Sequence, residues 1–192
     1  MSKTQPIKEL NDIKKLENYF LERQEIRNYV LIVMGLNTSL RISDILNLRW
    51  CDLFNFKSKN YRKHIIIDEQ KTGKHSIIAI NKSILSALDK YRKTLNKVEP
   101  ELYVFTSRIG NNRPISRNRA FHIIKNAVGE LGIENNISCH SLRKTFGYHA
   151  WKNGVPPALL QQIYNHSSYE ITKRYLGITQ DEKDDVFLNI LL

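Results

Sequence analysis

The sequence predicts an α+β domain, mostly helical, with one small antiparallel sheet. Apolar residues recur at helical spacing through most of the 192 residues. The period switches clearly to that of strands only in "HIIIDEQ" and "HSIIAIN", two β-branched runs separated by "KTGK". No repeat, low-complexity tract or long linker divides the chain. One domain spanning 1–192 is therefore expected, and that length suffices for a single hydrophobic core.

Taken in order, Ile13, Leu16, Tyr19 and Phe20 form the apolar stripe of an opening helix. A more apolar helix follows from about 25 to 36 and is expected to be buried. "RISDILNLRW" starts a short helix after a loop, with Ser43 or Asp44 in its first turn, where hydroxyl and anionic side chains are favoured. "DLFNFKSK" is read as a third strand beside the hairpin, whose turn takes Gly73. Helical pattern returns at 83–95 and at 117–131, the second closed by Gly132. Three short helices follow: 141–152, stopped by Asn153-Gly154; 156–164, opened by Pro156-Pro157; and about 168–176. An amphipathic piece, "DEKDDVFLNILL", comes last.

Charge narrows the function. Thirty Lys and Arg against 19 Asp and Glu leave +11, an excess that suits a polyanionic partner, most simply nucleic acid. The excess is clustered: "RIGNNRPISRNRAFHIIK" (108–125) carries five basic residues and no acid. Cys51 and Cys139 are the two cysteines; they imply no disulfide framework and fit a reducing cytoplasm. The apolar run "VLIVMGL" is far below the roughly 20 residues of a membrane span, and the first 15 residues hold no apolar signal region. "TGKHS" lacks a phosphate-loop pattern because Asp68 stands where its first glycine belongs. Zinc-ligand spacings and a G-x-S-x-G elbow are also missing from the sequence, and no metal or other cofactor is expected.

A set of cationic, imidazole and phenol groups remains. His140 and Arg143 stand three apart at a helix start and can share a face. Arg41 sits in a loop where Asp44 can brace it, and Lys71 sits at the hairpin tip. His166 follows helix 156–164, and Tyr175 comes nine residues later, in a stretch that also holds Tyr164 and Tyr169. Singly, each has a plain structural reading: a local ion pair, a solvated turn, a cap, a loop residue, a packed ring.

In sequence, however, "SLRISDILNL", "QKTGKHSIIAI", "HSLRKTFGYHAWKNGV" and "YNHSSYEITKRYLG" resemble the successive boxes of the tyrosine recombinases, the phage-integrase family. The resemblance runs from about Arg41 to Tyr175 and implies that family's DNA breaking-rejoining catalytic fold. Two departures stand out: Asn165 occupies the usual glycine position, and Lys144 follows Arg143 where many relatives carry histidine. The resemblance also implies that the helical core-binding domain preceding this one in most relatives is absent.

By resemblance the catalytic set is Arg41, Lys71, His140, Arg143, His166 and Tyr175, supported by Asp44. Tyr175 is then the nucleophile on a DNA phosphodiester. Lys74, Arg113, Arg117, Arg119, Lys144, Lys173 and Arg174 are expected to contact double-stranded DNA. The 181–192 tail either covers its own core or docks on a neighbouring copy. Two other readings stay open: relaxation of DNA in the manner of type IB topoisomerases, and a non-catalytic DNA-binding regulator.

Overall fold

The computed structural model describes residues 4–178, 184 and 187–190. Helix α1 (Leu10–Glu22) turns Leu16, Tyr19 and Phe20 inward, the stripe its spacing predicts. Helix α2 (Ile26–Asn37) buries Val30 to Leu36 without interruption and forms the centre of the core. Gly35 lets the later helix that carries Leu142 lie directly on it: a Cβ at this position would meet Leu142 Cβ at 3.0 Å. Short helices α3 (Ile42–Leu46) and α4 (Trp50–Leu53) follow, with Arg41 at the N-cap of α3.

The segment read as a third strand does not join the hairpin. Its Leu53 ends α4, and β1 (Phe54–Asn55) pairs with β2 (Asn60–Tyr61) in a two-residue ladder of its own. Asn55 Oδ1 accepts the N–H groups of Lys57 and Ser58 there, so local turn chemistry outweighs the apolar alternation. The hairpin itself, β3 (His64–Asp68) and β4 (His75–Ala79), pairs His64 with Ala79 through Asp68 with His75. Gly73 takes φ +66 in its turn, a conformation that glycine adopts without a steric cost. Ile65 is buried whereas Ile66 and Ile77 face solvent, so the hairpin leans on the domain by one face.

Helix α5 (Lys82–Lys93) is capped by Asn81, whose Oδ1 accepts the Ile84 N–H at 2.9 Å. Helix α6 (Arg117–Glu130) is capped by Ser116 in the same way and is followed by Gly132 at φ +62. Helix α7 (Cys139–Lys152) begins two residues earlier than its apolar pattern suggests. The cause is a reciprocal cap between Ser138 and Ser141. Helix α8 (Pro157–Tyr164) ends on Asn165 at φ +54, and α9 (Tyr169–Leu176) ends on Gly177 at φ +63.

Most apolar side chains from α1 to α7 share one core. Leu160, Tyr164 and Leu176 form a second, smaller cluster with Phe146, Trp151 and Tyr175 packed against it. A strap at 4–7 crosses α7: Ile7 N–H donates to Thr145 Oγ1 (2.8 Å), Lys144 Nζ donates to Thr4 O (2.6 Å), and a Cβ on Gly177 would touch the Pro6 ring at 3.2 Å. Among the described residues no helix is long and apolar enough to cross a membrane.

Candidate active site

The α2–α3 loop, the start of α7 and the α8–α9 corner converge on Tyr175. The His140 ring meets the Tyr175 ring edge-on at 4.9 Å between centroids, and His166 does so at 4.4 Å. Two short elements hold this geometry. The left-handed Asn165 turns the chain sharply after α8, and His166 Nδ1 lies 3.0 Å from the buried Thr172 Oγ1 on α9.

Arg143 lies behind the cluster, 3% exposed. One of its terminal amines donates to Ser39 O and the other to Tyr164 O (2.9 Å). Its guanidinium thereby ties the α2–α3 loop to the end of α8. Ser39 sits at φ +56, a strained conformation for serine, and that aims its carbonyl at the arginine. Each terminal amine keeps a second N–H, and Nε has no partner among the described residues. Tyr164 is fully buried and returns its Oη–H to Arg143 O at 2.7 Å, which makes it a structural residue. Gly147 leaves it room, for a Cβ there would stand 2.8 Å from the Tyr164 ring. Tyr169 is 46% exposed and makes no ring contact in the cluster.

The brace expected between Arg41 and Asp44 is not what the fold builds. Arg41 pairs instead with Glu69 at the end of the hairpin, while Asp44 Oδ1 accepts the Gln70 N–H at 3.0 Å. Asp44 thus supports the hairpin from its own side. Burial raises its pKa, with the Gln70 bond and the nearby arginines pulling the other way. Strand alternation could have revealed Glu69: it has the parity of buried Ile65 and so points inward, although acidic. Lys71 is exposed on the tip, with no hydrogen bond or ion pair to the described residues, and close enough to act on His140 through its charge.

These surroundings fix protonation states. His140 is pushed down to about 4, first by the protein atoms crowding its ring and then by Lys144, Arg143, Arg41 and Lys71. The residue as a whole remains exposed to solvent. His166 is likewise held at about 4, by burial and then by Arg143 and Arg41. Both imidazoles are therefore neutral at pH 7 and able to accept a proton. Burial raises the Tyr175 phenol above 10.0, against the pull of Arg143 and Arg41.

The model of the phage integrase family matches residues 5–182 of this sequence. The chain belongs to the phage integrase family. This family member is 40% identical over 177 residues to "Probable integrase/recombinase YoeC" of Bacillus subtilis, with 92% of this chain and 91% of that one covered. It is 29% identical over 181 residues to a tyrosine recombinase of Pseudothermotoga lettingae, where the match covers 94% of this chain but 59% of the relative. In fold it is similar to the crystal structure of XerA recombinase, with a TM-score of 0.75 at 20% identity over 97% of this chain and 65% of that one. The chain thus spans nearly all of the first relative and under two thirds of the other two.

Basic residues of this integrase-family chain fall into two groups. Arg113, Arg117, Arg119, Lys173 and Arg174 are exposed. Arg117 lines a recess with Ser43 and Gln70 beside the hairpin. Arg113 and Arg119 line an open groove of about 880 Å³ with Arg27 and Arg108, two cations the motif reading passes over. Lys74, also exposed, and Lys144, buried, bond to other parts of the fold. Lys74 Nζ donates to Gln162 O at 3.0 Å and links the hairpin to α8. Lys144 is buried between the strap and the Tyr175 ring, whose centroid lies 5.6 Å from its Nζ. Of the 181–192 tail, only 184 and 187–190 lie among the described residues; Phe187, Leu188 and Ile190 are exposed there.

Proposed function

We propose that the chain is a site-specific DNA recombinase that cleaves and rejoins strands through a 3′-phosphotyrosine intermediate. The observation that carries this reading is the convergence of two neutral imidazoles on one phenol, with a buried arginine behind them. A phenol needs a base to attack at neutral pH, and a phosphoryl transition state needs fixed donors and positive charge.

Tyr175 Oη forms a bond to the scissile phosphorus as the bond from phosphorus to the 5′-oxygen breaks. His140 takes the phenol proton and Lys71 gives one to the leaving oxygen. Arg41 and Arg143 hold the non-bridging oxygens with planar forks, and His166 adds a further donor. Asp44 keeps the hairpin in register with this set. Reversal, with a 5′-hydroxyl as attacker, returns both protons and reseals the strand, so the phosphate bond energy is conserved and no nucleotide is consumed. The chemistry asks no metal of the chain, since its own cations stabilise the charge.

Double-stranded DNA is the partner. Exposed Arg113, Arg117, Arg119, Lys173 and Arg174 serve its phosphates, with the groove at Arg27 and Arg108 extending that surface. Copies associate on DNA, the 181–192 tail of one seated on the next. The place of action is the cytoplasm, at the nucleoid.

A trap on nicked duplexes of random central sequence tests the reading. A duplex nicked just past the scissile phosphate loses its short 5′-hydroxyl fragment and leaves protein on the DNA. The expected result is a covalent adduct that Tyr175→Phe abolishes, on a restricted set of sequences. An adduct that survives Tyr175→Phe rejects the nucleophile. Relaxation of supercoiled DNA with no sequence preference replaces recombination by topoisomerase activity.

A further inference from the structure

We propose that Glu69 is a positioning residue that sets Arg41 and the Lys71 hairpin as a single unit. This rests on the roles given to Arg41 and Lys71 above, and it concerns a carboxylate that those roles do not use. Glu69 is 3% exposed, and a buried charge survives only when its neighbours answer it. Here three do. Its Oε2 pairs with Arg41 and accepts the Thr72 hydroxyl at 2.9 Å, while Oε1 accepts the Ser76 hydroxyl at 3.0 Å.

The backbone of the same residue closes the turn. Glu69 N–H donates to Lys74 O at 2.9 Å, and Glu69 O accepts from Gly73 N–H at 2.7 Å. Lys71 therefore projects from a loop whose both ends are fastened to Glu69. Burial alone would raise the pKa of this carboxyl, but the bonds from Thr72, Arg41 and Ser76 outweigh it and hold the group below its ordinary value. Glu69 stays ionised, and the pairing persists.

The geometry divides labour on Arg41. One terminal amine is committed to Glu69, whereas Nε and the other amine make no hydrogen bond to the described residues. A phosphate can take these without breaking the pair. Gln70, the next residue, is fastened to Asp44. Arg41 and Asp44 thus hold consecutive hairpin residues, Glu69 and Gln70, from the side of α3. A displacement of about 1 Å in such a group costs on the order of a hundredfold in rate, so fixing the phosphate-binding arginine and the acid together is a catalytic matter.

A bridging sulfur separates this from a merely structural ion pair. In a duplex with sulfur at the 5′-bridging position, the leaving thiolate needs no proton, so the Lys71 step is bypassed while the demand on Arg41 remains. Lys71→Ala should be impaired on oxygen DNA and restored on sulfur DNA. Glu69→Gln should cleave oxygen DNA about tenfold or more slowly, bind DNA as the parent does, and recover part of that loss on sulfur DNA. The double variant Thr72→Ala/Ser76→Ala keeps the Arg41 pair and loosens only the hairpin; its smaller defect should disappear on sulfur DNA. That variant decides the matter if Glu69→Gln fails to fold. Glu69→Gln within twofold of the parent, or equal losses on both substrates beside a restored Lys71→Ala, overturns the coupling alone. A Lys71→Ala variant that gains nothing from sulfur overturns the acid role of Lys71 and the coupling with it.

Discussion

Asn165 is the residue on which the corner between His166 and Tyr175 turns. It holds φ +54 and ψ +45 with no side-chain hydrogen bond to the described residues, so backbone conformation is what the position demands. An L-residue pays roughly 1–2 kcal/mol for that conformation, asparagine less than most, and glycine nearly nothing. Replacing Asn165 by Ala should therefore cost about 1 kcal/mol, while Asn165→Gly should be neutral or stabilising by under about 1 kcal/mol. Thermal melts of the three proteins check this, and equal melting of the Ala and Gly variants would remove the argument. The departure from the family's glycine is thus a substitution the turn accepts. The side chains that converge on Tyr175 were legible from order and spacing, since each lies in a recognisable box. Glu69 carries no motif: strand parity could have shown that it points inward, but its pairing with Arg41 depends on how far the hairpin folds back towards α3.

At the level of elements, the helices follow the apolar period closely, because burial and the polar caps agree. Ser116, Asn81 and Asn165 all sit where they end or begin a helix. The strand segment 52–59 is where the period misled, because a two-residue ladder closed by an Asx turn needs no alternation over several residues. The last amphipathic piece has a different fate. Phe187, Leu188 and Ile190 present 79%, 74% and 58% of their surfaces, an arrangement that usually marks an interface. A chain truncated after Gln180 should bind one DNA site as the intact chain does but lose complexes that pair two sites. Native gels on one-site and two-site duplexes would read this, and unchanged pairing would reject tail docking.

For the whole molecule, the neutral imidazoles predict how acid acts. His140 and His166 titrate at about 4 when folded against 6.5 for the ordinary group. Between those values the unfolded chain binds more protons than the folded one, so stability rises with pH across the window. The contribution is fully present above 6.5 and is lost as pH falls towards 4. Denaturant titrations at steps of pH should show this decline beginning near 6.5, ahead of the carboxylates. A His140→Gln/His166→Gln variant should flatten its upper part, and an identical decline in that variant would refute the assignment. The strap has a consequence of another kind. Thr4 and Ile7 bond to α7, and Pro6 abuts Gly177, so contacts around the nucleophile join stretches made far apart in time. They cannot form until residues 139–177 have left the ribosome, and the loops they close are long, for Thr4, Pro6 and Ile7 meet residues from Lys144 to Gly177. A growing polypeptide thus presents Arg41 and Lys71 well before Tyr175, the nucleophile proposed above, has been made.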